Sequence, residues 1–344
     1  MLQRIFRLTE VAVLCVLLLL AMVPDARAQA ANLRGKVVVD GSSTVFPITE
    51  AAAHAFKQDF PNVDVVVGVS GTGGGFKRFV KGEIDISDAS RPIKKEELEA
   101  AQQNQVRFIE LPVGFDGLSV VVNHDNNWTD TLTVEQLREL FSEDGKIRKW
   151  SDINPAWPNE TIKLYSPGTD SGTFDYFREA VMGERNFRTD LSTSEDDNVL
   201  VTGINGDKFS LGYFGAAYYY ENREKVKAVP IVNPASGDAV LPEPENVLSN
   251  RYAPLSRPLF IYVSMNALRR PEVRKFVEFY VNRCGEFSEK VGYVALPQEI
   301  VAMARDFLSS RRTGTVWLMP DGAKRHGALA EVYKPENLVD PLKQ

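Results

Sequence analysis

The sequence predicts an α/β protein, and three stretches carry that reading. Residues 37–39, 63–69 and 162–165 are short, largely apolar runs, each read as a buried strand. Each leads into a loop of small hydroxyl residues and glycine: Gly41-Ser42-Ser43-Thr44-Val45-Phe46, Ser70-Gly71-Thr72-Gly73-Gly74-Gly75, and residues 166–173 (SPGTDSGT). Each loop is followed by apolar residues at helical spacing. Strands that alternate with helices form α/β units with parallel pairing. Ligands of such sheets bind at the carboxyl ends of the strands, so all three loops fall on the functional edge.

The first helix carries Ile48, Ala51, Ala52, Ala55 and Phe56 on one face, with Pro47 near its first turn. The second is short and marked by Phe76, Phe79 and Val80, after the glycine-rich loop. A third strand at 84–86 ends in Ser87-Asp88-Ala89-Ser90-Arg91-Pro92, and a charged helix follows at 94–102. Residues 106–113 and 115–123 form a nearly continuous apolar strand, long enough to carry the chain from one lobe to another. Thr133 caps a helix bearing Leu137, Leu140 and Phe141, and Trp150 and Trp157 read as core plugs. Residues 192–200 open a helix ending at Gly203, with strands at 209–214 and 226–232. Residues 258–264 (PLFIYVS) are the return crossing, helices follow at 272–283 and 298–308, and 314–344 is a polar extension.

The third hydroxyl-glycine loop is the most telling. Phe174, Phe177 and Val181 lie at i, i+3 and i+7, and Asp170 or Ser171 is placed to cap the helix they define. Gly172 and Thr173 then present backbone N–H groups at the positive end of a helix dipole, which suits an anion. Taken singly, the same residues also read as an ordinary helix cap. Three such loops, bare of large side chains on one sheet edge, point instead to an oxyanion cradle.

The chain has 344 residues, which suggests about two domains at ~150 residues each. Its 44% hydrophobic and 25% charged content is that of a globular protein with a real core. With a net charge of −6 and neither basic cluster nor zinc-ligand spacing, the chain does not read as a nucleic-acid binder. Residues 1–28 read as a signal peptide: Arg4 and Arg7 are its basic end, 11–23 its short apolar segment, and Ala26-Arg27-Ala28 its cleavage signal. The mature chain would start at Gln29, carry a net charge of −7, and be exported to the periplasm or beyond. Cys15 lies inside the leader, which leaves Cys284 alone and no intramolecular disulfide.

The motifs GSSTVFPITE, SGTGGGFKRF, GEIDISDASRP, FDGLSVVVN, PGTDSGTFDYF and LGYFG, in this order, resemble the periplasmic phosphate-binding proteins of phosphate ABC importers. The resemblance runs over residues 36–310. It implies a type II two-lobe periplasmic binding protein, each lobe a mixed sheet flanked by helices, joined by two hinge strands. Lobe 1 would comprise residues 33–117 plus 259–344, and lobe 2 residues 118–258. It implies capture of inorganic phosphate in the cleft and delivery to ABC permease subunits by a monomer with no cofactor and no chemistry. Carried over residue by residue, Ser43, Thr44 and the Val45 and Phe46 backbones form the first ligand loop. Ser70 and Thr72 form the second, and Ser171, Gly172 and Thr173 the third.

Two positions depart from the family. A buried arginine expected four residues before Ser171 is Pro167, and an aspartate expected to accept the phosphate proton is Ser90. Arg91 is the candidate for the missing cation, with an ion pair to Glu96 or Glu97 as its other reading. Asp88 and Asp170 are the candidates for the proton acceptor. Binding of another oxyanion (sulfate, molybdate or tungstate) is the alternative within the same fold. A phosphatase using Ser171 would need a base or metal, but His54, His124 and His326 show no ligand spacing and no G-x-S-x-G elbow is present.

Overall fold

The computed structural model describes residues 33–342 except Asp170 and Glu195, so the leader at 1–28 lies outside the described residues. The amino-terminal units are β1 (Gly35–Gly41), α1 (Phe46–Asp59), β2 (Val63–Val67), α2 (Gly71–Phe79), β3 (Ile86–Ala89) and α3 (Lys95–Gln103). The long crossing strand is β4 (Phe108–Asn123), followed by β5 (Leu132–Thr133), α4 (Val134–Phe141), α5 (Trp150–Ile153), β6 (Lys163–Pro167) and α6 (Gly172–Phe177). Then come β7 (Ser192–Ser194), α7 (Asp197–Asn205), β8 (Ser210–Gly215), α8 (Ala216–Glu221), β9 (Val226–Ala228), β10 (Ile231–Val232) and β11 (Ala239–Val240). The chain closes with α9 (Pro244–Leu248), β12 (Ser256–Ser264), α10 (Pro271–Lys290), α11 (Gln298–Ser309) and α12 (Leu329–Val332). Among the described residues no helix is long and apolar enough to cross a membrane.

The main sheet has the order β2-β1-β3-β12-β4-β8-β6-β7, with β9 also on β4. β1 pairs in parallel with β2 and β3, and β6 in parallel with β8 and β7, as alternating strands and helices require. β4 is buried along its whole length because it serves two sets of neighbours. Its first part pairs with β12, from Phe108 opposite Ser264 to Gly117 opposite Ser256. Its second part, from Leu118 on, pairs with β8 and β9. The register of β4 on β12 shifts between Leu259 and Phe260, which lie opposite Gly114 and Pro112, a bulge at Val113 that bends the pair a few residues before β4 changes neighbours.

Helices cover both faces. Phe56 of α1 meets Phe276 and Phe279 of α10 edge to face, each pair at 5.3 Å between ring centroids. On the other face Phe76 of α2 packs on Tyr262 at 4.8 Å. Beyond β4, Phe177 stacks on Tyr213 at 3.8 Å, with Phe141 beside both. Fully burying each such ring stabilises the fold by about 1.5–3 kcal/mol. Trp150 is buried, as a core plug should be, and donates its indole N–H to the Phe209 carbonyl at 3.1 Å.

Several elements differ from the sequence reading. α2 begins at Gly71, so the glycine-rich loop is itself the first turns of a helix. Glycine propensity argues against that, but the packing demands it: a Cβ on Gly75 would lie 2.7 Å from Gly41 Cα and from Ser87 Oγ. β3 runs to Ala89, which moves Asp88 from a loop into the sheet. Ser192–Ser194 is a strand, and α7 starts only after Asp196, whose side chain caps it. The run 226–232 breaks into two strands at Pro230, which has no N–H for a ladder. The helix through Phe174 and Phe177 passes after Phe177 into a π turn at Arg178–Met182, which carries the buried Val181.

The extension after residue 314 is tied into the sheet. Gly314 bridges Ile109, and Thr315 bridges Val339. Glu110 of β4 is buried and accepts hydrogen bonds from Tyr262 Oη (2.6 Å), Thr315 Oγ1 (2.6 Å) and the Val316 N–H (3.1 Å). Tyr333 donates to the Glu110 carbonyl at 2.8 Å. Burial pushes the Glu110 carboxyl up to about 7, while these donors pull it down.

Gly75→Ala is expected to force α2 off β1 and β3, because its nearest neighbours are backbone and a strand side chain. It should lower the unfolding free energy by about 1–3 kcal/mol in denaturant titration. An unchanged midpoint would show that the contact is not tight.

Candidate functional site

The carboxyl ends of β1, β2 and β3 lie at one edge, and the loops that leave them are stitched together there. The Ser42 N–H donates to the Asp88 carbonyl at 2.9 Å, and the Ser70 N–H to the Gly41 carbonyl at 3.1 Å. Thr72 and Ser90 share a hydroxyl–hydroxyl bond of 3.0 Å, and the Ser90 N–H donates to Thr72 Oγ1 at 3.2 Å. Beneath them Arg78 of α2 forms an ion pair with the buried Asp40 at the end of β1. Asp40 also accepts from the Gly41 N–H at 2.8 Å. The first two loops and Ser90 therefore form one wall.

The third loop meets that wall directly. Thr44 Oγ1 donates to the Gly172 carbonyl at 3.4 Å, and Ser43 Oγ donates to Asp175 Oδ2 at 3.1 Å. The approach is close enough that a Cβ on Gly172 would stand 2.8 Å from Thr44 Cα. Ser171 is the N-cap of α6, accepting from the Thr173 N–H at 3.2 Å. On the first loop the Phe46 N–H is turned to the Ser42 carbonyl at 3.0 Å, and the Val45 N–H to Ser42 Oγ at 3.4 Å.

A cation sits in the seam between these walls. Arg257, near the start of β12, is only 11% exposed. Its Nη2 donates to Thr44 Oγ1 at 3.1 Å and its Nη1 to Glu179 Oε2 at 2.9 Å. Its guanidinium carbon lies 3.6 Å from the centroid of the Tyr176 ring, a cation–π stack. Behind it Asp116, its register partner on β4, lies 3.6 Å from Nε. Burial pushes the Asp116 carboxyl up to about 6, and Arg257 pulls it back down. Tyr176 Oη completes the link by donating to the Pro254 carbonyl at 2.8 Å.

This two-walled edge, with its hydroxyls gathered around the Arg257 guanidinium, belongs to a chain with recognisable relatives. A family model described as a PBP superfamily domain matches residues 26–283. The chain belongs to the PBP superfamily. It is 49% identical over 291 residues to protein SphX of Synechococcus elongatus, covering 84% of this chain and 86% of that one. It is 37% identical over 280 residues to the phosphate-binding protein PstS of Staphylococcus aureus, covering 81% of this chain and 84% of that one. A crystal structure of a possible phosphate-binding protein from Planctomyces limnophilus superposes with a TM-score of 0.77 at 41% identity, over 81% of this chain and 99% of that one.

Within this PBP-superfamily edge the structure brings together Ser43, Thr44, Val45, Phe46, Ser70, Thr72, Ser90, Ser171, Gly172 and Thr173. Asp170 lies outside the described residues. Three expectations change. The Val45 and Phe46 backbone N–H groups, expected to face the ligand, are taken up by Ser42. Arg91 is engaged by Glu97, with Nη1 at 2.9 Å and Nη2 at 2.8 Å, so its bidentate face is already used. Asp88 turns inward from β3 and is fully buried, with Thr49 of α1 and Tyr280 of α10 around it. Its carboxyl is pushed up to about 8, chiefly by burial, with Asp40 adding to the effect. A carboxyl that keeps its proton near neutrality is not a proton acceptor.

Sequence reasoning missed Arg257 and Asp116. The signal was there: Asp116 lies inside one long apolar strand and Arg257 just before the other, and a charge in a buried strand needs a partner.

The Asp88 carboxyl also sets a pH dependence. Its folded-state value, about 8, lies above the ordinary 3.8. The folded form therefore keeps a proton that the unfolded chain releases from about pH 4 upward. Stability from this group falls as pH rises from about 4 to 8 and levels off above, a loss of up to about 6 kcal/mol. Asp88→Asn should be spared that loss, so its advantage over wild type in unfolding free energy should grow between pH 5 and pH 8.5. Parallel pH profiles would contradict the assignment.

Proposed function

We propose that the chain is an extracytoplasmic solute-binding protein that captures inorganic phosphate between two lobes and presents it to an ABC permease. The lobes are residues 33–117 plus 259–344, and residues 118–258. The exchange of β4 from β12 to β8 at Gly117 and Leu118 supports that division. The observation that carries the reading is the Arg257 guanidinium, buried in the seam and bonded to Thr44. An anion in a dry cleft needs positive charge, and a planar guanidinium supplies it with directed donors. Relatives named phosphate-binding protein over more than four-fifths of the chain support phosphate as that anion.

Phosphate is held in this reading by Ser43, Thr44, Ser70, Thr72, Ser90, Ser171 and Thr173, by the N-termini of α2 and α6, and by Arg257. Arg257 takes the part first expected of an arginine at position 167 or of Arg91. Asp175, already at the seam beside Ser43, is the carboxylate placed to accept the phosphate proton and so to disfavour sulfate. Lobe closure buries the ligand, and the β4–β12 pair absorbs the bend. The closed monomer is what the permease meets, and no bond is made or broken.

Isothermal titration tests this. Arg257→Lys should weaken phosphate binding about 10- to 100-fold, the worth of one or two charge-assisted hydrogen bonds. The double variant Arg257→Gln with Asp116→Asn avoids stranding a buried carboxylate and should weaken it at least as much. Sulfate should compete poorly with phosphate in the wild type. Unchanged phosphate affinity in both variants would overturn the assignment of the cation, and equal competition by sulfate would favour a general oxyanion binder.

A further inference from the structure

We propose that a basic groove at the foot of the sheet, on the edge away from the loops, is a second anion site that takes a condensed phosphate chain. The groove encloses about 940 Å³. It is lined by Lys81, Arg107, Arg269, Arg270 and Arg311, and its only carboxylate is Asp85. Asp85 precedes β3, Arg107 precedes β4, and Ser264 at the groove ends β12. Nine residue steps along the extended chain lead from Arg107 to Asp116 at the seam, so the two sites stand about 30 Å apart. Each is reached without the other.

The charge balance of the groove is what sets it apart. Arg270 is paired with Asp85 at 2.5 Å and lies 3.8 Å from Glu272, and Arg107 reaches Asp340 at 3.3 Å. Among the described residues, Lys81, Arg269 and Arg311 have no carboxylate within ion-pair distance. The whole chain carries a net charge of −6, so this excess of positive charge runs against the rest of the molecule. Like charges gathered around one hollow repel one another, and a counter-anion relieves that repulsion. Two of the lining residues, Gln105 and Arg311, adopt left-handed backbone at φ of 57° and 50°. They follow the C-caps of α3 and α11, positions where glycine is usual. Long polar side chains are kept at the rim at a cost in backbone strain.

The chemistry points to several phosphates in a row. A single orthophosphate would engage at most the two unpaired forks, Arg269 and Arg311, and leave Lys81 unmatched. A chain of three or more phosphates offers each fork its own pair of oxygens and fits a groove of this volume.

Titration of the full chain with tripolyphosphate, at low salt and with orthophosphate at saturating concentration throughout, tests the site. We expect one tripolyphosphate per chain, with affinity that falls steeply as salt is raised. The exposed double variant Arg269→Glu with Arg311→Glu should lose at least tenfold in tripolyphosphate affinity while keeping its far-ultraviolet circular dichroism spectrum and its orthophosphate binding. No binding under these conditions, or the same affinity in the double variant, would overturn the proposal. Sedimentation with phosphatidylglycerol vesicles distinguishes the source of the anion: capture by vesicles without binding of tripolyphosphate would also overturn it, in favour of a lipid surface.

Discussion

The arrangement of the loop edge depends on one buried cation. Arg257 leaves the start of β12 and touches both walls of the seam: Thr44 on the first loop, and Tyr176 and Glu179 on the helical segment that follows the third. Burying a guanidinium costs several kcal/mol unless it is matched, and here Asp116 behind it, Glu179 at its rim and the Tyr176 ring on its face provide the match. The orientation of α6, and with it the donors at Gly172 and Thr173, is therefore coupled to the β4–β12 strand pair that carries Arg257 and Asp116.

The opposing wall is stiff for a different reason. α2 is pressed against β1 and β3 because Gly75 has no side chain, and Arg78 holds it to Asp40 at the strand end. That fixes where the helix begins, and so where Ser70 and Thr72 face the seam. Farther down, Glu110 gathers Tyr262, Thr315 and Val316 around one carboxylate and joins the chain's last segment to both long strands. The extension is part of the scaffold that carries the wall.

Much of this was legible because it is periodic. The three strand–loop–helix units follow from apolar spacing and loop composition, and the long crossing strands from unbroken apolar runs. The rule that ligands meet the carboxyl ends of strands put the three loops at one edge, where the structure brings them into contact, and the resemblance singled out Ser43, Thr44, Ser70, Thr72, Ser171 and Thr173 within them. What was not legible is what tertiary contact decides. SGTGGG reads as a loop by propensity, yet it is helix from Gly71 on, and at Gly75 only glycine fits against Gly41 and Ser87. Arg91 and Arg257 are both arginines beside a proline. Only the fold shows that Glu97 reaches back to the first, while the second points into the seam. Asp88 looked like a loop residue because the strand was read two residues short of it, and a strand residue faces the core or the opposite helix layer.

The central claim is that the anion lies in this seam on Arg257. A crystal grown with arsenate in place of phosphate, measured at the arsenic absorption edge, locates the anion directly. The account predicts the strongest anomalous peak within hydrogen-bond reach of the Arg257 guanidinium and the Thr44 hydroxyl, between the first and third loops. A strongest peak at Arg91, or away from all three loops, with Arg257 still bonded to Thr44 and Glu179, would contradict it.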